Sequence, residues 1–535
     1  MTMYNRFLVK ATVVAIISFC MAADVLAARY YWATNGAENG DLATLRNWTT
    51  GSAAGNNSPA AFNAADQYTI RDTSNLPADV HSWYINADLD MLGFFEAIRT
   101  AQVDLNGHAL SVKYILCRGD LSFSGGSVST SDQSYCGSQG TPGSCRLSFD
   151  GEGTTFSVPE SKAVSISSSS VDGASNNRLE ILNGARMLSG RIAIGNNLAV
   201  AEGDYSTNNA FIVSGYGSSA KINNIDLRAG SKNIFKVSDG ASVYVTNTLT
   251  SGGNYCIKIG SYDRADGDIV VVTGSASGHD SSLEVSGAVN MGCHANSHEH
   301  RFIVADGATA SVGSFQLGQT SGSTGNVVRV TGPGSSLTVS GTTYVGGNQQ
   351  TGMSSARLEV LDGATYETTG NAQLWIGRFS NGCELFVSNA TAKVAGELRL
   401  GWASGDVTSA NAGGSATIRI AGEAPLFEVA GAVSSYSPTV QKMVFDMPSA
   451  GWSFAPVKFK SGAKIAYGTD SSLEIIVNAN HVEPGRYVLV ASTADINFGK
   501  IALSNGSTGL VTLDDSVSKE IAVVVKRPGL AIFVR

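Results

Sequence analysis

Arg357–Gly377, RLEVLDGATYETTGNAQLWIG, reads as strand, tight turn, strand, polar link, strand. Leu358 and Val360 alternate with Arg357 and Glu359, a period of two with one apolar face. Asp362-Gly363 turns the chain, since Gly tolerates positive φ and Asp hydrogen-bonds its own turn backbone. Ala364 is small enough to sit behind that turn. Leu374 and Ile376 form the next apolar pair, and Gly377 closes it. One such unit cannot bury its apolar face alone, whereas stacked copies can.

Copies recur through most of the chain. Arg178–Ala185 repeats the octapeptide almost unchanged and is followed by Ile192-Ala193-Ile194-Gly195. Phe235–Ser242, Phe302–Thr309, Val328–Ser335, Phe386–Thr391 and Ile418–Ala424 are further copies. Their turns lie roughly 25–35 residues apart, or about twice that where a weaker copy intervenes, a solenoid period. Strand-only repeats with Gly/Ser/Asn links, and no long apolar run at helical spacing, predict an all-β parallel solenoid. The expected organisation is a signal peptide over 1–27, an N-terminal cap region over 28–102, parallel β-helix repeats over 103–438 and a C-terminal antiparallel β module over 439–535. About 11 coils are expected between Ser111 and Pro438. Met91–Arg99 is expected to be a short helix across the end of the stack.

Composition agrees with this class. Of 535 residues 15% are charged and 61 are Gly, which suits turn-rich β structure and argues against a disordered acidic chain. The formal net charge is −8 with no basic stripe, so nucleic acid is not an expected partner. Arg6 and Lys10 followed by the apolar Ala11–Ala23 predict a secretory signal cleaved after Ala27 or Ala28. No later segment is expected to cross a membrane as a helix. Export permits disulfides among Cys117, Cys136, Cys145, Cys256 and Cys293, with Cys383 a buried free thiol. Cys117-Arg-Gly-Asp-Leu-Ser-Phe123 resembles Cys145-Arg-Leu-Ser-Phe149, which favours a bridge between stacked equivalents. Cys136–Cys145 is the short-loop competitor.

Leu105-Asn-Gly-His-Ala-Leu-Ser-Val112, the repeated Asp-Gly-Ala turns, Gly485–Val490 and the aromatic residues from Tyr31-Trp32 to Asn47-Trp48 resemble exported autotransporter-passenger-like (pectin-lyase-like) proteins. The resemblance covers most of 30–535. It implies a right-handed, single-stranded parallel β-helix displayed outside bacterial cells. Nothing after Pro438 matches the membrane β-barrel that ends typical members, so secretion or attachment by other means is expected.

Four candidates for chemistry stand out. Cys293, His294, His298 and His300 have the ligand types and short spacing for a divalent metal, zinc or copper, against a plain polar loop; no other cofactor is expected. Asp239, Asp306 and Asp362 recur at one repeat position, as a calcium or catalytic ladder would require, but each precedes Gly and Asn183 replaces it elsewhere, which is turn chemistry. Arg118-Gly119-Asp120 is an adhesion-type tripeptide that also arises by chance. Trp375 and Trp402 suit sugar stacking or an apolar edge. No phosphate loop, nucleophile elbow or HExxH helix is present. The function expected is that of an exported, non-enzymatic protein of the cell surface or extracellular space (or periplasm), used for adhesion, display or matrix contact. A glycan or a surface protein is its expected partner. The alternative is a polysaccharide-binding or polysaccharide-degrading β-helix.

Overall fold

In a computed structural model, the alternating segments pair in parallel with their equivalents one repeat away. Residues 29–526 are described, except 33–40, 44, 46–47, 50–60, 63–66, 71–81, 99, 138–143, 168–174, 196–206, 247–254, 263–264, 321, 348–354, 402–413, 437–439, 462, 468–471, 480, 498–499, 505–510 and 515–516. The expected signal peptide and Trp402 lie outside the described residues.

Each coil contributes strands to three faces. Strands such as Arg178–Leu182, Ala356–Leu361 and Cys383–Ser388 form the first face, a 16-stranded parallel sheet running from Ser82–Tyr84 to Lys500–Ser504. Strands after the turn, such as Ser336–Val339 and Thr365–Thr368, form the second face. Thr343–Val345 and Leu374–Ile376 belong to the third. The second and third faces share one sheet because strands such as Arg186–Ile194 and Thr309–Leu317 run round the corner between them. No helix occurs among the described residues. The chain is an all-β, parallel stacked solenoid.

Inward residues repeat from coil to coil. Val330, Val360, Val387 and Ile420 are successive partners on the first face, all fully buried. Phe123 stacks on Phe149 at 5.3 Å and Phe149 on Phe156 at 4.2 Å. Such stacking replaces the single core of a globular domain with a continuous column.

The corner between the first and second faces explains the Asp-Gly-Ala signature. Asp239, Asp306 and Asp362 take φ of 58°, 55° and 54°, a left-handed conformation that Asp tolerates better than most residues. Ala185, Ala241 and Ala308 alternate along the stack with the buried Ser218, Ser281 and Ser335. Each serine accepts from the turn glycine of the coil before: Gly184 N to Ser218 Oγ is 2.9 Å, Gly240 N to Ser281 Oγ 3.0 Å and Gly307 N to Ser335 Oγ 3.0 Å. Ser218 and Ser281 donate in turn to the carbonyls of Ser214 and Thr273. The small residue after the turn therefore has two alternating roles, filler and hydrogen-bonding link.

Two expectations change. The expected helix over Met91–Arg99 does not form among its described residues, 91–98: Phe94–Ala97 is a strand paired in parallel with Gln67–Ile70 and Ile115–Cys117, so in-register stacking wins over a weak helical pattern interrupted at Gly93. Parallel stacking also extends beyond both expected limits. Ser82–Tyr84 already pairs with Gln102–Asp104, and Val440–Asp446 pairs with Ser472–Asn478, itself paired with Lys500–Ser504. Among the described residues after 439, antiparallel pairing occurs at Gly485–Ala491, Val511–Asp514 and Glu520–Val525.

At the corner between the second and third faces, glycine is required by close approach. A Cβ on Gly396 would lie 2.4 Å from the Asn371 carbonyl oxygen, and one on Gly431 2.3 Å from that of Gly396. Gly396→Ala is expected to destabilise the stack by about 1–3 kcal/mol through this backbone collision. Urea unfolding followed by tryptophan fluorescence and limited proteolysis checks it; unchanged stability would remove the close-approach explanation.

Candidate functional site

The third corner, where the chain enters the first face, carries a buried polar column. Asn177, Asn209, Asn233, Asp268, His300 and Asn326 occupy successive coils and are all fully buried. Backbone amides of one coil donate to side chains of the next: Cys145 N to Asn177 Oδ1 (3.0 Å), Asn177 N to Asn209 Oδ1 (3.1 Å), Asn233 N to Asp268 Oδ1 (2.9 Å) and Asp268 N to His300 Nδ1 (3.3 Å). The column satisfies corner amides that the sheet leaves unpaired.

Within it lies an arrangement with the residue types of a hydrolytic triad. Ser297 Oγ is 2.6 Å from His300 Nε2, and His300 Nδ1 is 4.0 Å from Asp268 Oδ2. The bonding is not that of a triad. Nδ1 accepts from the Asp268 amide, so the proton sits on Nε2 and points at Ser297. Ser297 donates to the carbonyls of Ala265 (2.9 Å) and Gly260 (3.2 Å). All three side chains are fully buried. Burial pushes the His300 imidazole down to about 3, helped by His298, and pushes the Asp268 carboxyl well above its ordinary value, so the 4.0 Å approach is between two neutral groups. A catalytic triad needs an exposed serine, an imidazole free to take its proton and an ionised acid. Ser297, His300 and Asp268 instead hold the chain in register.

The expected metal ligands are accounted for individually. His300 belongs to the column. His298 Nδ1 accepts from Thr324 N (3.3 Å) and its amide donates to Asp266 Oδ1 (2.9 Å). The Cys293 thiol donates to the Asn290 carbonyl at 3.5 Å, and burial pushes it up to about 12. His294 is half-buried. Among the described residues no three His, Cys, Asp or Glu side chains converge as a metal site.

The turn aspartates link coils: Asp239 Oδ2 accepts from Ser214 (2.7 Å), Asp306 Oδ2 from Thr273 (2.6 Å) and Asp362 Oδ2 from Thr331 (3.4 Å). Arg118 pairs with the buried Glu96 at 3.1 Å, which ties the Arg-Gly-Asp tripeptide to the stack. Trp375 is buried and contacts Arg378 and Arg399, whose guanidinium carbons lie 5.0 and 4.5 Å from its ring. Two cations thus lie against its ring. Cys256 meets Ser286 at 3.7 Å.

The second face is different: its outward residues form two long rows. Ser127, Thr155, Arg186, Ser219, Ser242, Ser282, Thr309, Ser336, Thr365 and Thr391 are successive partners, hydroxyls throughout except at Arg186. Beside them run Ser129, Ser157, Leu188, Lys221, Tyr244, Glu284, Ser311 and Thr338. Leu188 is 55% exposed and Tyr244 37%. They flank Lys221 in an open groove of about 720 Å³ that Arg186, Met187 and Glu284 also line. Sequence reading missed both rows because the long links hide which strand positions share a face. Aligning the residue two positions after each turn would have found the first.

No family model, curated protein or solved structure matches this chain.

The buried acid makes a signed pH prediction. Burial holds the folded Asp268 carboxyl well above the value of about 4 that it has when unfolded, so it weakens the fold increasingly as pH rises from about 4 toward its folded value. Asp268→Asn, matching Asn233 on the preceding coil, is expected to stabilise by about 1–3 kcal/mol at pH 8 and little at pH 4. His300 acts oppositely: its folded value is depressed, so its contribution is lost as pH falls from 6.5 toward 3. Thermal melts of both proteins across pH 4–8 test this, and an equal gain at both ends would refute a protonated Asp268.

Proposed function

We propose that this chain is an exported, non-enzymatic β-solenoid that works at a cell surface or in the extracellular space, holding an extended glycan along its second face. The carrying observation is the pair of outward rows with the Leu188–Lys221–Tyr244 patch. Rows repeat about every 4.8 Å along the stack, close to the length of one residue in an extended sugar chain. Hydroxyls, an exposed aromatic ring and both signs of charge match the ring faces and hydroxyls of a polysaccharide. Adhesion, display or matrix contact all follow from holding such a chain. The Arg6/Lys10-flanked leader supports export.

A depolymerising reading has one supporting observation: Glu367, Lys393 and Glu428 alternate in charge on successive second-face coils. Glu428, however, pairs with Lys460 at 2.5 Å, and a glycosidase needs two carboxyls flanking one bond.

Residues 29–535 are expected to bind at least one acidic or neutral polysaccharide on a glycan array without releasing reducing ends. Tyr244→Ala and Leu188→Ser are each expected to weaken binding about tenfold, a loss of about 1.4 kcal/mol, with unchanged melting temperature because both side chains are exposed. Retained affinity in both variants, or polysaccharide cleavage, would overturn the proposal.

A further inference from the structure

Three thiols meet at the interior of the early coils. Strands Ile115–Cys117 and Ser134–Cys136 lie on adjacent third-face coils, and their register sets Cys136 directly beside Cys117. Both are fully buried and face the column. Neighbouring strands are about 4.8 Å apart, within the Cα separation a disulfide spans. Cys145 stands in the adjoining corner, its amide committed to Asn177 Oδ1 and its carbonyl 3.8 Å from Cys136 Sγ. In the reduced form seen here Cys117 donates to the Gly119 carbonyl at 3.0 Å and Cys136 to the Arg178 carbonyl at 3.1 Å.

The geometry points to a cross-coil disulfide between Cys117 and Cys136, with Cys145 left as a thiol. This differs from both pairings expected from sequence. The Cys117/Cys145 resemblance does not carry into the stack: Leu121 pairs with Leu147, but Cys145 falls in the Asn177 column while Cys117 falls in the Cys136 ladder. The bridge would link consecutive coils where the neighbouring ladder positions hold only Ala97 and Ile166.

The chemistry balances with a small-molecule disulfide such as oxidised glutathione. One thiolate attacks it to give a mixed disulfide and one glutathione thiol. The second thiolate displaces the other glutathione, so two protein thiols are oxidised and one glutathione disulfide is reduced to two thiols. Burial pushes the Cys117 thiol well up, and the neighbouring Cys136 and Cys145 add to the rise. Thiolate is therefore scarce once the coils close, which places oxidation during folding and shields the finished bridge.

The test is a disulfide map. Residues 29–535 are refolded with oxidised glutathione, denatured, alkylated with iodoacetamide and digested without reduction. Mass spectrometry is expected to find the Cys117 and Cys136 peptides joined and Cys145 alkylated. Cys145→Ser is expected to keep the bridge. Wild-type protein refolded with dithiothreitol in place of oxidised glutathione is expected to be proteolysed several-fold faster within residues 94–150, a difference lost in Cys117→Ser/Cys136→Ser. Alkylation of both Cys117 and Cys136, or a bridge to Cys145, overturns the assignment; the wild-type map decides even if a variant does not fold.

Discussion

Each coil buries its apolar side chains only because the coils above and below repeat its inward pattern in register. Parallel pairing makes that register strict, since a one-residue slip would turn Val360 and its partners Val330 and Val387 outward together. The three corners and the outside of the first face serve this constraint. The Gly–Ser links fix the first corner, the glycine contacts the second and the Asn177-to-Asn326 column the third. On the outside of the first face, Arg329 and Arg357 bracket Glu359, and Arg357 reaches Glu384 at 2.7 Å. The arginines are half-exposed while Glu359 and Glu384 are largely buried; the pairs disfavour a slipped register that would place like charges together.

The repeats from 178 onward were legible because their alternation has a period of two and their turns use Asp-Gly or Asn-Gly. The ends were not. Leu473-Glu-Ile-Ile-Val477 lacks the turn signature, so it reads as antiparallel although it stacks in parallel on Gln441–Phe445. Likewise Phe94–Ala97 has too few residues to show a period. At the candidate site the cluster at 293–300 was visible as chemistry but not as placement. His300 falls at a column position only once Arg301 is aligned with Ile269, an alignment across 32 residues of irregular link. Asp268 and Ser297 carried no signal at all, because their roles depend on that alignment.

The buried Asp268–His300–Ser297 group also shows why residue types alone do not make an enzyme. Catalysis would require an ionised acid and an imidazole that gains a proton in the transition state. Full burial disfavours both charges, and the column supplies no counter-ion to offset that. Asp226 illustrates the contrast. Burial opposes its charge too, but Arg228 and Arg191, with the Ser261 hydroxyl, outweigh burial and hold its carboxyl below the usual range. The chain thus keeps a buried charge where paired cations surround it, and neutral polar groups in the column.

The outward side of the second face is the surface that these constraints leave free. An inward residue is fixed by its ladder, and a corner residue by hydrogen bonds or close approach. An outward residue on the second face meets neither demand. Row positions there are free to vary, yet Ser and Thr recur along the first row from Ser127 to Thr391. Turn chemistry does not explain this, since these positions lie within strands. Leu188 and Tyr244 are harder still to attribute to stacking, because exposing them to water gains no burial. Residues that the fold neither requires nor rewards, concentrated on one face, are the ground on which the proposed glycan-holding role stands.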